Sequence, residues 1–237
     1  MTEGNSAQIL LHRIAAVIFA GITTLGTTAL GIGIYYGSLT NYRRITGTFA
    51  VPYTTLVWSI VTIGITIMAQ VAMKRPSRGL LGMTILLTGL TAAGIGLTTA
   101  AHIIQQDTLD EVVATNMRTE VSRANNTRGY TQLDDIQIAL GCCGSSGFEV
   151  YATMDMYKHG SVPVSCCINQ TYKTGCNQPP LEGKINTRGC EEPLLQIMLA
   201  ATRHCIIALG LLGVAMTTVW TAFLVWFSLC MSTTQTM

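Results

Sequence analysis

Apolar residues gather into four runs along this chain, 14–36, 52–73, 79–101 and 205–230, none of which contains an Asp, Glu, Lys or Arg. At about 1.5 Å of rise per residue, each run can cross roughly 30 Å of hydrocarbon as a helix. The runs lack the alternation of barrel strands, and along a single lipid-exposed segment only a helix satisfies its own backbone hydrogen bonds. The pattern therefore predicts an all-α membrane protein, a four-transmembrane-helix bundle, with segments 1–13, 37–51, 74–78, 102–204 and 231–237 outside the bilayer. Composition agrees, since 49% apolar residues and 11% charged ones, with a mean hydropathy of +0.42, are unusual for a soluble domain. The first run exceeds the about 7–15 residues of a secretory h-region, and no small-x-small site precedes Tyr42, so it is expected to be retained.

Charge and cysteine placement give the expected orientation. The connector Lys74-Arg75-Pro76-Ser77-Arg78 carries three positive charges and Arg13 lies on the same face, against Arg43 and Arg44 opposite, which places the connector in the cytosol. Six of the eight cysteines fall in segment 102–204, where disulfides require a luminal or extracellular side. Both arguments put the termini in the cytosol. With eight Lys or Arg against eleven Asp or Glu, this large loop is mildly acidic and nothing in it favours nucleic acid.

Within the bilayer there is little hydrophobic drive between helices, so rows of small residues are expected to form the seams. Candidate rows are Gly82, Gly89 and Gly96, then Gly21, Thr24, Thr28 and Gly31, then Gly210, Gly213 and Thr217, packing as a left-handed bundle. Ion or proton pathways need buried carboxylates, imidazoles or amides. Here Gln70 lies near one membrane boundary, and His102 and Gln105 near the other, within reach of interfacial water. The many threonines can return their hydroxyls to the preceding helical turn.

In the large loop, Leu109, Val113, Met117 and Val121 step by four beside Val112, while Asp107, Asp110 and Glu111 line another face, so the third helix is expected to continue outward as a stalk. Its partner begins after Cys190, where Glu191, Glu192 and Pro193 suit a helix start. Thr131 and Asp134 resemble a capping box, followed by the apolar stripe Leu133, Ile136 and Leu140. The region 145–189 shows no sustained period. The six cysteines of the large loop permit fifteen connectivities, among which spacing does not choose. The adjacent pairs Cys142-Cys143 and Cys166-Cys167 lack the gaps of a zinc knuckle, so neither metal nor cofactor is expected.

Taken together, four spans, a small then a large outer loop, Cys142-Cys143-Gly144, Pro163-Val164-Ser165-Cys166 and a last cysteine, Cys190, just before the fourth span resemble a tetraspanin along the whole chain. By analogy with six-cysteine members, the resemblance implies that Cys142 pairs with Cys190, Cys143 with Cys166, and Cys167 with Cys176. It also implies that Gly144 permits the tight turn bringing the pair under the domain, and that region 145–189 recognises partners, with Phe148, Tyr151, Met154, Met156 and Tyr157 as contact candidates. Some members line an intramembrane sterol cavity with an amide in the first span and a carboxylate or amide in the fourth, whereas here those spans offer only hydroxyls. Cys230 is the candidate for palmitoylation. The sequons Asn125-Asn126-Thr127 and Asn169-Gln170-Thr171 are candidate glycosylation sites, Asn125 the less crowded.

The function this implies is a non-enzymatic organiser that gathers receptors, adhesion molecules, other tetraspanins and lipids in plasma or endosomal membranes. The four histidines, His12, His102, His159 and His204, are scattered, and no catalytic arrangement rises above chance. A claudin-like junction protein would carry its larger cysteine-bearing loop between the first two spans. A transporter or channel would need polar groups that these spans lack.

Overall fold

The computed structural model describes residues 3–39, 51–74, 78–126, 131–154, 161–168 and 183–235. They form six α-helices: α1 (Glu3–Leu39), α2 (Val51–Lys74), α3 (Arg78–Gln106), α4 (Leu109–Asn126), α5 (Gln132–Leu140) and α6 (Glu191–Gln235), with short 3-10 helices at Phe148–Thr153 and Val164–Cys166. Among the described residues no strand forms, only the isolated bridges Gly147 to Arg188 and Cys167 to Ile185. Four helices are long and apolar enough to cross a membrane, over Val17–Tyr36, Val51–Lys74, Gly79–Gln106 and Glu191–Val225. The chain divides into one unit of residues 1–38, 50–104 and 202–237 and a second of residues 39–49 and 105–201.

The first unit is built on a heptad-like period. Buried positions step by three and four along each helix: Phe19, Ile22, Gly26 and Ala29 on α1, Thr55, Ser59, Thr62 and Thr66 on α2, Thr84, Thr88, Thr91 and Ile95 on α3, and Leu209, Leu212, Met216 and Val219 on α6. That spacing is the one that keeps a seam facing its neighbours as helices wind together. Several of the buried hydroxyls are met within their own helix, while Thr62 Oγ1 on α2 and Thr202 Oγ1 on α6 are buried without a hydrogen-bond partner. Ser59 donates to the Thr55 carbonyl at 2.7 Å, Thr66 to Thr62 at 2.7 Å and Thr88 to Thr84 at 2.6 Å, so each of these presents mainly its carbon to the neighbouring helix.

Two expectations about this unit need correction. The row Gly21, Thr24, Thr28 and Gly31 faces outward, and so do Gly82, Gly96 and Thr217. A Cβ at Gly21, Gly31, Gly82, Gly96 or Gly210 would meet nothing within 4 Å. Close approach occurs instead where large side chains need room: Gly33 lies under Leu56, Gly89 under Trp220, Gly94 under Trp58 and Gly213 against Ile95. The positions of the bulky partners on facing helices decide which glycine is used, and a row read along one helix does not contain them. The second correction concerns His102, which is buried, with Nε2 2.8 Å from Thr54 Oγ1. The Thr54 hydroxyl also lies 2.9 Å from the Val51 carbonyl, and when it donates its proton there, Nε2 supplies the proton of the contact with Thr54. His102 thus ties α3 to α2.

Gly94→Ala checks the close approach, because the new methyl would sit 2.3 Å from Trp58 Cη2. The indole must swing away, at an expected cost of about 1–3 kcal/mol. Thermal unfolding of the detergent-purified protein should show the loss, and Gly96→Ala, which meets open space, should leave it unchanged.

The expected stalk is interrupted. α3 ends at Gln106 and α4 starts at Leu109. The Thr108 N–H and hydroxyl both turn back to the Gln105 carbonyl, at 3.3 and 3.1 Å, and Asp110 Oδ1 accepts the Glu111 N–H at 2.8 Å. Short polar side chains here bind nearby backbone groups and close one helix while opening the next. Beyond the break Leu109, Val113, Met117 and Val121 are buried and Val112 is exposed.

Candidate functional site: the disulfide-framed loop

The cysteine pair is delivered by a helix ending. Thr131 caps the start of α5; its N–H and hydroxyl both donate to Asp134 Oδ2, at 2.7 and 2.8 Å, so the carboxylate reaches back over the first turn. Leu133 and Ile136 turn inward. At the far end Gly141 adopts φ 59°, ψ 48°, and the Cys142 N–H reaches the Gln137 carbonyl at 3.1 Å, the longer of the two bonds of a Schellman cap. Gly144 then adopts φ 68°, where a Cβ would lie 2.3 Å from the Gly147 carbonyl oxygen and 2.5 Å from Val150 Cγ1. Only glycine fits that turn. It brings the Gly144 and Ser145 carbonyls to the Cys190 and Glu191 N–H groups, at 3.0 and 3.1 Å, while the Cys143 N–H bonds to the Arg188 carbonyl at 2.8 Å. Gly189 passes so close that a Cβ there would sit 2.4 Å from the Ser145 oxygen.

Covalent bonds close the same junction. Cys142 is joined to Cys190, with Cα atoms 5.1 Å apart, and Cys143 to Cys166, at 5.0 Å. Cys167 is also disulfide-bonded, and Cys176, its partner by resemblance, lies outside the described residues. Cys143 and Cys166 sit in an apolar cluster with Tyr151, Val162 and Ile185, against which Phe148, Val150 and Met154 pack.

Tyr151, a contact candidate in sequence, is fully buried and belongs to this core. Its hydroxyl lies 2.6 Å from Gln137 Nε2, and Ser165 Oγ lies 2.5 Å from both Gln137 Oε1 and Asp134 Oδ1. A hydroxyl has one proton and cannot donate to two acceptors at once. Turning the Gln137 amide end for end removes the conflict: its nitrogen donates to Ser165, its oxygen accepts from Tyr151, and the Ser165 proton goes to Asp134. The donation then runs from Tyr151 through Gln137 and Ser165 to Asp134. This chain ties both 3-10 helices to α5. The one sequence signal for it was Gln137 itself, a polar residue beside Ile136 on the apolar stripe.

Ser165→Ala removes the central link and leaves Gln137, fully buried, and Asp134 short of a partner, at an expected cost of about 1–3 kcal/mol. Adding Gln137→Leu should cost less than the two separate effects combined. Near-UV circular dichroism melting of the intact protein with disulfides formed reads both.

Phe148 and Met154 are half-buried. Met156, Tyr157 and Asn169 lie outside the described residues. Asn125 and Cys230 fall within α4 and α6, and their side chains lie outside that description too. Sequence reasoning passed over three apolar side chains that face out from the loop: Ile138 (39% exposed), Val164 (43%) and Ile168 (58%). Ile138 is on α5 and Val164 on the 3-10 helix that packs against it. The ion pair Arg188–Glu192 (3.1 Å) lies at the surface and adds little stability, whereas exposed Arg118 approaches the largely buried Glu191 at 3.8 Å.

The sequence model of the tetraspanin family matches residues 13–234. The chain belongs to the tetraspanin family. No curated protein matches it. This tetraspanin is a multi-pass membrane protein, and its Cys142-Cys143-Gly144 motif and Ser165 hold the loop together through the turn, disulfides and hydrogen bonds described above.

Proposed function

We propose that this tetraspanin organises membranes by binding other membrane proteins, receptors, adhesion molecules and other tetraspanins among them, sideways in the bilayer and through its large loop. The family match across residues 13–234 carries this reading. The loop faces the extracellular or luminal side of plasma or endosomal membranes, where its disulfides persist, and the termini and the basic connector 74–78 are cytosolic. Partners meet Ile138, Val164 and Ile168, whose backbone is fixed by the neighbouring disulfides and by α5, together with Phe148, Met154, Met156 and Tyr157. Rigid, exposed apolar groups lose little entropy when covered, which suits them to contact. Asn125 and Asn169 are candidate glycan acceptors and Cys230 a lipid acceptor. A sterol in the bundle would meet only hydroxyls in the first and fourth spans.

Crosslinking in cells followed by mild-detergent purification and mass spectrometry tests this. Reproducible membrane-protein partners are expected, and Ile138→Asp, Val164→Asp and Ile168→Asp combined should remove those held by the loop while surface expression persists. Absence of any reproducible partner, with solute flux through reconstituted vesicles, would replace the organiser with a transporter.

A further inference from the structure

No further inference is drawn: the strongest candidate, the row of small residues Gly21, Thr24, Thr28 and Gly31 on the outward face of α1, is an unpartnered face, and nothing in the structure shows what covers it.

Discussion

Cys143→Ser combined with Cys166→Ser will unfold the large loop more completely than Cys142→Ser combined with Cys190→Ser, even though the latter pair closes the longer stretch of chain. The sequence separations are 23 and 48 residues, and chain entropy alone assigns about 3.5 and about 4 kcal/mol to the two bonds. That difference is small beside what surrounds the sulfurs. Cys143 and Cys166 are enclosed by Tyr151, Val162 and Ile185, so serine would bring two hydroxyls into apolar surroundings, at about 1–3 kcal/mol each. Cys142 Sγ already lies 3.8 Å from the Ile136 carbonyl oxygen, which gives a serine there an acceptor. The comparison Cys143→Ala with Cys166→Ala isolates the effect: it keeps the loss of the crosslink, omits the hydroxyls, and should be milder than the serine pair. Protease resistance of the loop in the purified protein and delivery to the cell surface are the measurements. Equal behaviour of the serine and alanine pairs would show that burial at this bond contributes nothing beyond the crosslink.

Gly144→Ala should be nearly as damaging, and for a different reason. A residue with a Cβ at positive φ costs about 1 kcal/mol, but here the methyl also overlaps the Gly147 carbonyl oxygen at 2.3 Å, and a backbone atom cannot swing aside as a side chain can. The turn must shift as a whole, and with it the Gly144 carbonyl that holds the Cys190 N–H at 3.0 Å. A cost above about 3 kcal/mol is expected, the strain and the steric overlap acting together. Gly141→Ala is the control. It has nearly the same φ, 59°, but only Asn186 Oδ1 comes within 4 Å of its Cβ, at 3.8 Å, so about 1 kcal/mol is expected there. Melting temperatures of the two variants, compared side by side, separate backbone strain from lack of space. Similar values would mean that the turn at Gly144 relaxes freely.

Several elements were legible because one segment of chain holds all the information they need. The four spans are set by long stretches without charge. The start of α5 is set by Thr131 and Asp134, three residues apart, whose contact forms in the structure at 2.7 Å. The resemblance gave the expectation of the disulfide pairing, and the structure joins Cys142 to Cys190 and Cys143 to Cys166. The break at Asp107 and Thr108 escaped a reading based on apolar periodicity, because the residues on either side keep the same stripe and only the local hydrogen bonds of Thr108 reveal it. Tyr151 was misjudged for a related reason. An aromatic residue in an irregular region carries no period from which to tell inward from outward.

The sequence by itself determined that this chain places four apolar helices in a membrane and a cysteine-rich loop between the last two, since hydrophobic length and cysteine position act through the solvent and need no knowledge of neighbours. Only the tertiary structure decided which glycines meet a partner, that Gln137 and Ser165 join Tyr151 to Asp134, and that Ile138, Val164 and Ile168 face outward. Those outcomes depend on contacts between residues distant in sequence, where shape and hydrogen-bond direction, more than residue type, fix the pairing.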